Sequence, residues 1–129
     1  MHVSSPSRGT VLIVDDVTMS RKMIMQCMQH LGFECDEACD GAEAVAMCTA
    51  KQYTLVLMDN LMPRMNGIDA TVAIRRIDSL AKRSCHIFGM TGNEISDELA
   101  DFQRAGCNEV LVKPLRLDRI KQLLTTYCL

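Results

Sequence analysis

The sequence predicts a doubly wound α/β fold, in which five parallel strands alternate with five helices. Short apolar runs alternate with amphipathic stretches along the whole chain, and two of the runs, TVLIV at 10–14 and TLVLM at 54–58, are almost wholly apolar. Such runs are typical of strands that are buried on both faces of a parallel sheet. The amphipathic stretches between them have the length of the helical crossovers that join parallel strands.

The five predicted strands differ in character. Thr10–Val14 and Thr54–Met58 are the most apolar, so we expect them at the centre of the sheet. Phe33–Glu37 alternates apolar and polar residues and suits a lateral position, and Cys85–Met90 and Glu109–Val112 complete the set. The expected strand order is 2-1-3-4-5.

Each predicted helix has an apolar stripe at helical spacing, a start signal or a stop signal. Asp40, followed three residues later by Glu43, resembles a capping box, and Gly32 and Gly106 end the first and fourth helices. The predicted spans are 19–31, 40–51, 66–80, 95–104 and 116–127.

Length and charge exclude several classes of protein. A chain of 129 residues with 48% hydrophobic content suits one domain, and we expect a flexible N-terminal tail over 1–9 and the domain over 10–129. The net charge of −2, with both signs dispersed, predicts no direct nucleic-acid partner. The segment has no apolar run near the ~20 residues of a membrane span and no signal peptide, so we expect no membrane contact and a cytoplasmic location.

The seven cysteines favour neither a disulfide framework nor a metal site. Their number is odd and no C-x-x-C pair occurs. Most lie among apolar neighbours, where a free cysteine behaves as a small hydrophobic residue, so we predict reduced thiols.

Five chemistry-bearing side chains follow the predicted strands. Asp15 and Asp16 come after the first strand, Asp59 after the third, Thr91 after the fourth and Lys113 after the fifth. Each alone is a common cap or turn residue. Because the carboxyl ends of parallel strands meet at one edge, where such sheets bind ligands, we expect all five in one site.

Clustered carboxylates indicate a hard cation at this edge. Three neighbouring carboxylates repel one another unless a cation intervenes, and oxygen ligands without histidine or cysteine favour Mg²⁺. We expect Asp16 and Asp59 to bind the metal directly, Asp15 to hold a water molecule of the metal, and the Leu61 backbone carbonyl to be a further ligand.

The same set suits phosphoryl chemistry. Asp59 ends the most central strand and precedes a loop, so it is the best candidate for a carboxylate nucleophile that forms an aspartyl-phosphate. Lys113 would pair with one phosphoryl oxygen and Thr91 would hydrogen-bond another.

At this point a family is recognisable. The segments VLIVDD (11–16), MDNLMPRMNG (58–67), MTGN (90–93) and VKPL (112–115) resemble those of response-regulator receiver domains, with the pattern of hybrid histidine kinase receivers in particular. The resemblance extends from about Thr10 to Tyr127 and implies a flavodoxin-like (βα)5 fold.

The resemblance implies a function and partners. Members of the family take a phosphoryl group from a phosphohistidine on a histidine kinase or a phosphotransfer protein, with Mg²⁺, and lose it to water. They are switches rather than enzymes, and they act on a downstream protein, most often through the face formed by the fourth helix, fifth strand and fifth helix. The resemblance assigns the phosphoacceptor to Asp59, the acidic pair to Asp15 and Asp16, the switch hydroxyl to Thr91 and the lysine to Lys113, with a cis bond before Pro114.

Two positions depart from the family's pattern. Val110 stands where members commonly have Tyr or Phe, so an aromatic flip coupled to Thr91 cannot operate in its usual form. Leu61 is apolar where some rapidly dephosphorylating relatives have a polar side chain, and we hypothesise that it excludes water and slows hydrolysis.

Two other functions fit the sequence less well. A phosphatase of the haloacid dehalogenase type needs an acid two residues after its nucleophile, and Leu61 stands there. A degenerate receiver that only binds partners would lack site residues, and all five are present. The sequence leaves open whether the chain is a stand-alone receiver or part of a hybrid kinase.

Overall fold

The computed structural model describes residues 7–92 and 97–129, and its centre is a five-stranded parallel sheet. The strand order is β2-β1-β3-β4-β5, so the predicted doubly wound fold and strand order are confirmed. The strands are β1 (Thr10–Val14), β2 (Glu34–Ala38), β3 (Leu55–Asp59), β4 (His86–Thr91) and β5 (Glu109–Val112).

Five helices cover the two faces of the sheet in the part of the chain that the structure describes. They are α1 (Thr18–His30), α2 (Gly41–Ala50), α3 (Gly67–Ala81), α4 (Asp97–Ala105) and α5 (Leu117–Thr126). The predicted cap of α2 is confirmed, because the Asp40 carboxylate accepts a hydrogen bond from the Glu43 amide. Gly106, with a φ of 108°, follows α4 in the left-handed conformation that suits a helix stop.

Strand side chains alternate between two apolar cores. Val11, Ile13, Leu55 and Leu57 pack into the core that Ile24 and Met28 of α1 and Ile120 of α5 also fill. Their neighbours face the opposite core, beneath α2, α3 and α4; these are Leu12, Val14, Val56 and Met58. The apolar runs of the central strands therefore reflect burial on both faces.

Three strands begin one residue later than predicted, for local reasons. The Phe33 amide donates to the Met28 carbonyl and completes the end of α1, so β2 begins at Glu34. The Cys85 amide donates to the Asp78 carboxylate, so β4 begins at His86. The ends of β3 and β4 are also one residue later than predicted, so Asp59 and Thr91 are the last residues of their strands rather than the first residues beyond them.

Two predicted features lie partly outside the residues that the structure describes. The predicted start of α4 at Ile95 lies outside the described residues, as do residues 1–6 of the predicted tail. Within the rest of that tail, Arg8 donates to the Leu31 carbonyl at 3.0 Å and lies 4.9 Å from the centre of the Phe33 ring. The boundary at residue 10 stays a prediction.

No disulfide joins the seven cysteines, all of which have free thiols. Among the helices of the described ranges, none has the length and apolarity that crossing a membrane requires.

Candidate functional site

Two of the predicted site carboxylates meet one ammonium group at the carboxyl edge of the sheet. The Nζ of Lys113 lies 3.1 Å from Oδ2 of Asp15 and 3.2 Å from Oδ2 of Asp59. Lys113 and Asp15 are 98 residues apart in sequence, and the parallel order of β1, β3 and the more distant β5 brings their ends together. Burial of these carboxylates at a sheet edge requires such a counter-charge.

The Asp15 side chain is fully buried, and both of its carboxylate oxygens accept hydrogen bonds. Its Oδ1 accepts the Val17 amide at 2.9 Å, and its Oδ2 accepts the Ser20 hydroxyl at 2.6 Å as well as Lys113. Burial opposes ionisation, yet the bonds from Ser20, Val17 and Lys113 outweigh it and lower the pKa of Asp15 below its ordinary value. Asp15 is therefore a fixed negative charge at neutral pH.

Asp59 has the opposite balance. Burial raises the pKa of its carboxyl, the charge of Asp15 raises it further, and Lys113 and the Asn60 amide only partly offset both. Its Oδ1 accepts that amide at 3.0 Å, which leaves the carboxylate oriented toward the edge. Of the two carboxylates that Lys113 bridges, the half-buried Asp59 is the one whose charge is poorly compensated, which suits a group that reacts.

The loop after Asp59 is drawn tightly against its own strand. A Cβ built on Gly67 would lie 1.8 Å from the Asp59 carbonyl oxygen, so only glycine permits this approach. The Gly67 amide donates to the Asn60 carbonyl, and the Ile68 amide donates to the Asn60 side chain. These bonds hold Asn60 against the start of α3 and so fix the end of β3, where Asp59 lies.

Asp16 completes a set of oxygen donors. One carboxylate oxygen from each of Asp15, Asp16 and Asp59 lies within 4.8 Å of the others, and Asp16 is exposed to solvent. The donor set is all oxygen, with a net negative charge that Lys113 only partly balances. The residues therefore fit Mg²⁺, which binds one or two carboxylates and keeps several waters.

Thr91 and Leu61 occupy different environments at this edge. Thr91 is buried at the end of β4, and its carbonyl accepts the Lys113 amide at 2.7 Å, which ties the two strand ends together. The Leu61 side chain is 75% exposed in the loop after Asp59. The Lys113–Pro114 bond is cis, as the resemblance implied.

Sequence reasoning missed the residues that hold Asp15 in place. Ser20 and Arg21 in the first turn of α1 reach back to it, through the Ser20 hydroxyl and through Arg21, which donates to the Asp15 carbonyl at 2.7 Å. Arg21 also pairs with Glu37 on β2. The sequence did offer a signal, because a hydroxyl residue and a basic residue follow the acidic pair by about one helical turn. Such residues are common in the first turn of any helix, so the signal is weak.

Comparison with known proteins gives the same picture. The family model of the response regulator receiver domain matches residues 11–125. Two-component response regulator 24 of Arabidopsis thaliana is 34% identical over 119 residues, which are 92% of this chain and 83% of the relative. Sensor histidine kinase RcsC of Escherichia coli is 32% identical over 125 residues, 97% of this chain but only 13% of that kinase.

The match to hybrid kinases is thus a match to a small part of them. The chain spans 4% of hybrid signal transduction histidine kinase G of Dictyostelium discoideum, at 31% identity.

Solved structures share the fold. The chemotaxis protein CheY4 of Vibrio cholerae is 28% identical with a TM-score of 0.80, covering 91% of this chain and 96% of its own. The receiver domain of sensor histidine kinase PA1611 of Pseudomonas aeruginosa, with a magnesium ion coordinated in its active-site cleft, is 25% identical with a TM-score of 0.83, covering 92% and 96%. With its fold, its strand-end site and a family match over most of its length, this chain belongs to the response regulator receiver domains of two-component systems.

Proposed function

We propose that this domain accepts a phosphoryl group from a phosphohistidine onto Asp59, in a Mg²⁺-dependent reaction, and thereby switches its contacts with other proteins. The observation that carries the proposal is the bridge of Lys113 between Asp15 and Asp59, with Asp16 in reach of both. Receiver domains in general accept phosphoryl groups. The proposal for this domain adds which residues take part and that the metal is Mg²⁺.

In the proposed transfer, an oxygen of Asp59 forms a bond to phosphorus as the bond between phosphorus and the donor imidazole breaks. The reaction needs a carboxylate, and Lys113 keeps a positive charge beside Asp59. Burial acts against the charge of Lys113, but the two carboxylates raise its pKa above the ordinary lysine value. Lys113 would then pair with one phosphoryl oxygen, and the Thr91 hydroxyl would donate a hydrogen bond to another.

The three carboxylates would play different parts in binding Mg²⁺. Both oxygens of Asp15 already accept protein hydrogen bonds, which supports its proposed role as the holder of a metal-bound water. Asp16, Asp59 and the Leu61 carbonyl would then be the direct protein ligands. Bound Mg²⁺ supplies charge neutralisation for the carboxylates and the phosphoryl oxygens. The receiver domain of PA1611 has a magnesium ion coordinated in its active-site cleft, which supports a magnesium site in this domain.

A groove beside the site would admit the phosphohistidine partner. It runs between α1 and the start of α5, has a volume of about 690 Å³, and has Lys113 in its wall. Met19 and Met23 on its rim are 74% and 65% exposed. A donor imidazole has to reach Asp59, so the apolar surface that is continuous with Lys113 suits the histidine kinase or phosphotransfer protein.

The domain would act as a switch, with a downstream protein contacting the α4-β5-α5 face. Val112 and Leu117 are exposed apolar residues on this face. The match from residue 11 onward supports a domain that begins near Thr10.

A small phosphodonor tests the proposal directly. Incubation with phosphoramidate and Mg²⁺ should add one phosphoryl group to the intact protein by mass spectrometry, and Asp59→Asn should abolish the gain. Asp118→Asn is the matched control, because Asp118 is an exposed carboxylate on α5.

Chelation of Mg²⁺ with EDTA should prevent the mass gain in the wild type. A gain that persists in Asp59→Asn, or that is indifferent to EDTA, would contradict the assignment of the acceptor or of the metal.

A further inference from the structure

Phe102 lies in the same apolar core as Val110, the position at which the family commonly has an aromatic residue. Phe102 is fully buried, and both residues belong to the core beneath α2, α3 and α4. Val110 pairs with Gly89 of β4 in the sheet register. The aromatic ring on this side of the β4–β5 pair therefore comes from α4 rather than from β5.

The ring lies directly on the backbone of Gly89. A Cβ built on Gly89 would lie 2.8 Å from both Cγ and Cδ1 of Phe102 and 3.0 Å from Cδ2. No side-chain carbon fits at that distance from an aromatic ring without a shift of the ring or of the strand. The absence of a Cβ at position 89 is thus what lets α4 seat on β4.

The contact is two residues from the switch hydroxyl. Alternate strand residues face the same side of a sheet, so Thr91 lies on the face that Gly89 presents to Phe102. Thr91 pairs with Val112, and its carbonyl accepts the Lys113 amide. A displacement of β4 at Thr91 reaches the Phe102 ring through one short segment of backbone.

The Phe102 ring is the fully buried side chain by which helix α4 packs on β4. Phe102 is the one buried residue among the described residues Asp97–Ala105. Because this ring is the buried contact of α4 with β4, a shift of β4 beneath the ring would move the helix.

We propose that Phe102, seated on Gly89, couples the phosphoryl site to α4 and takes the place of the missing aromatic at Val110. This coupling rests on the proposed function and describes how phosphorylation would change the surface of the domain. Movement of Thr91 would shift β4, and β4 would move α4 through the Phe102 ring.

Hydrogen exchange with a phosphoryl mimic tests the coupling. Beryllofluoride with Mg²⁺ should change the exchange rate of the α4 amides of the wild type by about fivefold or more, the usual range for coupled sites. Phe102→Leu should reduce that change to less than about twofold. Phe88→Leu is the matched control, because Phe88 is equally buried but faces the other core, and it should keep the response.

Fluorine NMR of bound beryllofluoride separates the two levels of the proposal. In Phe102→Leu the bound signal should persist while the α4 response is lost. A bound signal with an unchanged α4 response in Phe102→Leu, or a loss of response in Phe88→Leu as well, would overturn the coupling alone. Absence of the bound signal in the wild type would contradict the proposed function and the coupling with it.

Gly89→Ala provides an independent check. The added methyl should displace the ring and raise α4 exchange before any ligand is added. Unchanged exchange at α4 in that variant would show that the ring is not seated as inferred.

Discussion

At the scale of single residues, the buried Asp15 and the half-buried Asp59 differ in how well their surroundings stabilise a negative charge. Asp15 accepts three hydrogen bonds and has a lowered pKa, whereas burial and Asp15 raise that of Asp59. The fold thus tolerates an unfavourable charge at the residue that we propose to react. Functional sites commonly keep such groups at a cost in stability.

This imbalance predicts a pH-dependent gain from Asp59→Asn in Mg²⁺-free buffer. The amide can still accept from Lys113 but has no charge, so at neutral pH the variant should be more stable by roughly 0.5–2 kcal/mol, the range of single stabilising substitutions. A raised folded-state pKa means that ionisation destabilises the fold as pH rises from the ordinary aspartate value through the raised one. The gain should therefore fade on acidification, as urea unfolding at a series of pH values would measure.

Asp118→Asn serves as the reference for this measurement, because an exposed surface change should alter stability by less than about 0.5 kcal/mol. A gain in Asp59→Asn that is absent at neutral pH, or that grows on acidification, would refute the balance described for Asp59.

The exposed Leu61 side chain predicts a slow loss of the phosphoryl group. An apolar side chain two residues after Asp59 cannot orient an attacking water molecule, whereas an amide can. Leu61→Asn should shorten the phosphoryl lifetime several-fold, equivalent to on the order of 1 kcal/mol in barrier. The decay of the phosphorylated mass after removal of the donor measures it, and Leu61→Met should decay as the wild type does. An unchanged lifetime in Leu61→Asn would count against the hypothesis.

At the scale of elements, the loop between β3 and α3 is fastened to the start of α2. The Asp40 side chain is 3% exposed and pairs with the guanidinium of Arg64, and the Gly41 amide donates to the Met65 carbonyl. Arg64 itself adopts a left-handed backbone conformation, with a φ of 66°. The loop that follows the proposed phosphoacceptor is thus held by an ion pair and a strained residue.

Two substitutions separate those contributions. Arg64→Ala and Arg64→Gly both remove the ion pair with Asp40, but only alanine keeps the left-handed penalty. Arg64→Gly should be the more stable of the two by about 0.5–1 kcal/mol, the penalty less the conformational entropy of glycine. Thermal or urea unfolding measures the difference, and equal stabilities, or a more stable alanine variant, would show that Arg64 is not strained.

At the scale of the whole molecule, the position of the site was predictable because it follows from topology. Once apolar runs identify parallel strands, residues at the strand ends must share an edge, and this brings Asp15 and Lys113 within 3.1 Å across 98 residues of sequence. Strand limits were accurate to one residue. A one-residue shift arose, for example, where the Asp78 carboxylate accepted the hydrogen bond of the Cys85 amide.

Features set by contacts between distant segments were not predictable. The ion pair of Arg64 with Asp40 joins residues 24 apart, and no local pattern indicates it. The seat of Phe102 on Gly89 depends on how closely α4 approaches β4, which the periodicity of α4 does not determine. The difference in pKa between Asp15 and Asp59 likewise depends on burial and partners in three dimensions.

The central claim is that Asp59 bears the phosphoryl group, and chemical trapping tests it most directly. Borohydride reduces an aspartyl-phosphate to homoserine, and the tryptic peptide 52–64 contains Asp59 as its single carboxylate side chain, whereas peptide 9–21 contains Asp15 and Asp16. After phosphorylation with phosphoramidate and Mg²⁺, we predict homoserine at position 59 alone. Homoserine in peptide 9–21, or its absence from peptide 52–64, would contradict the claim.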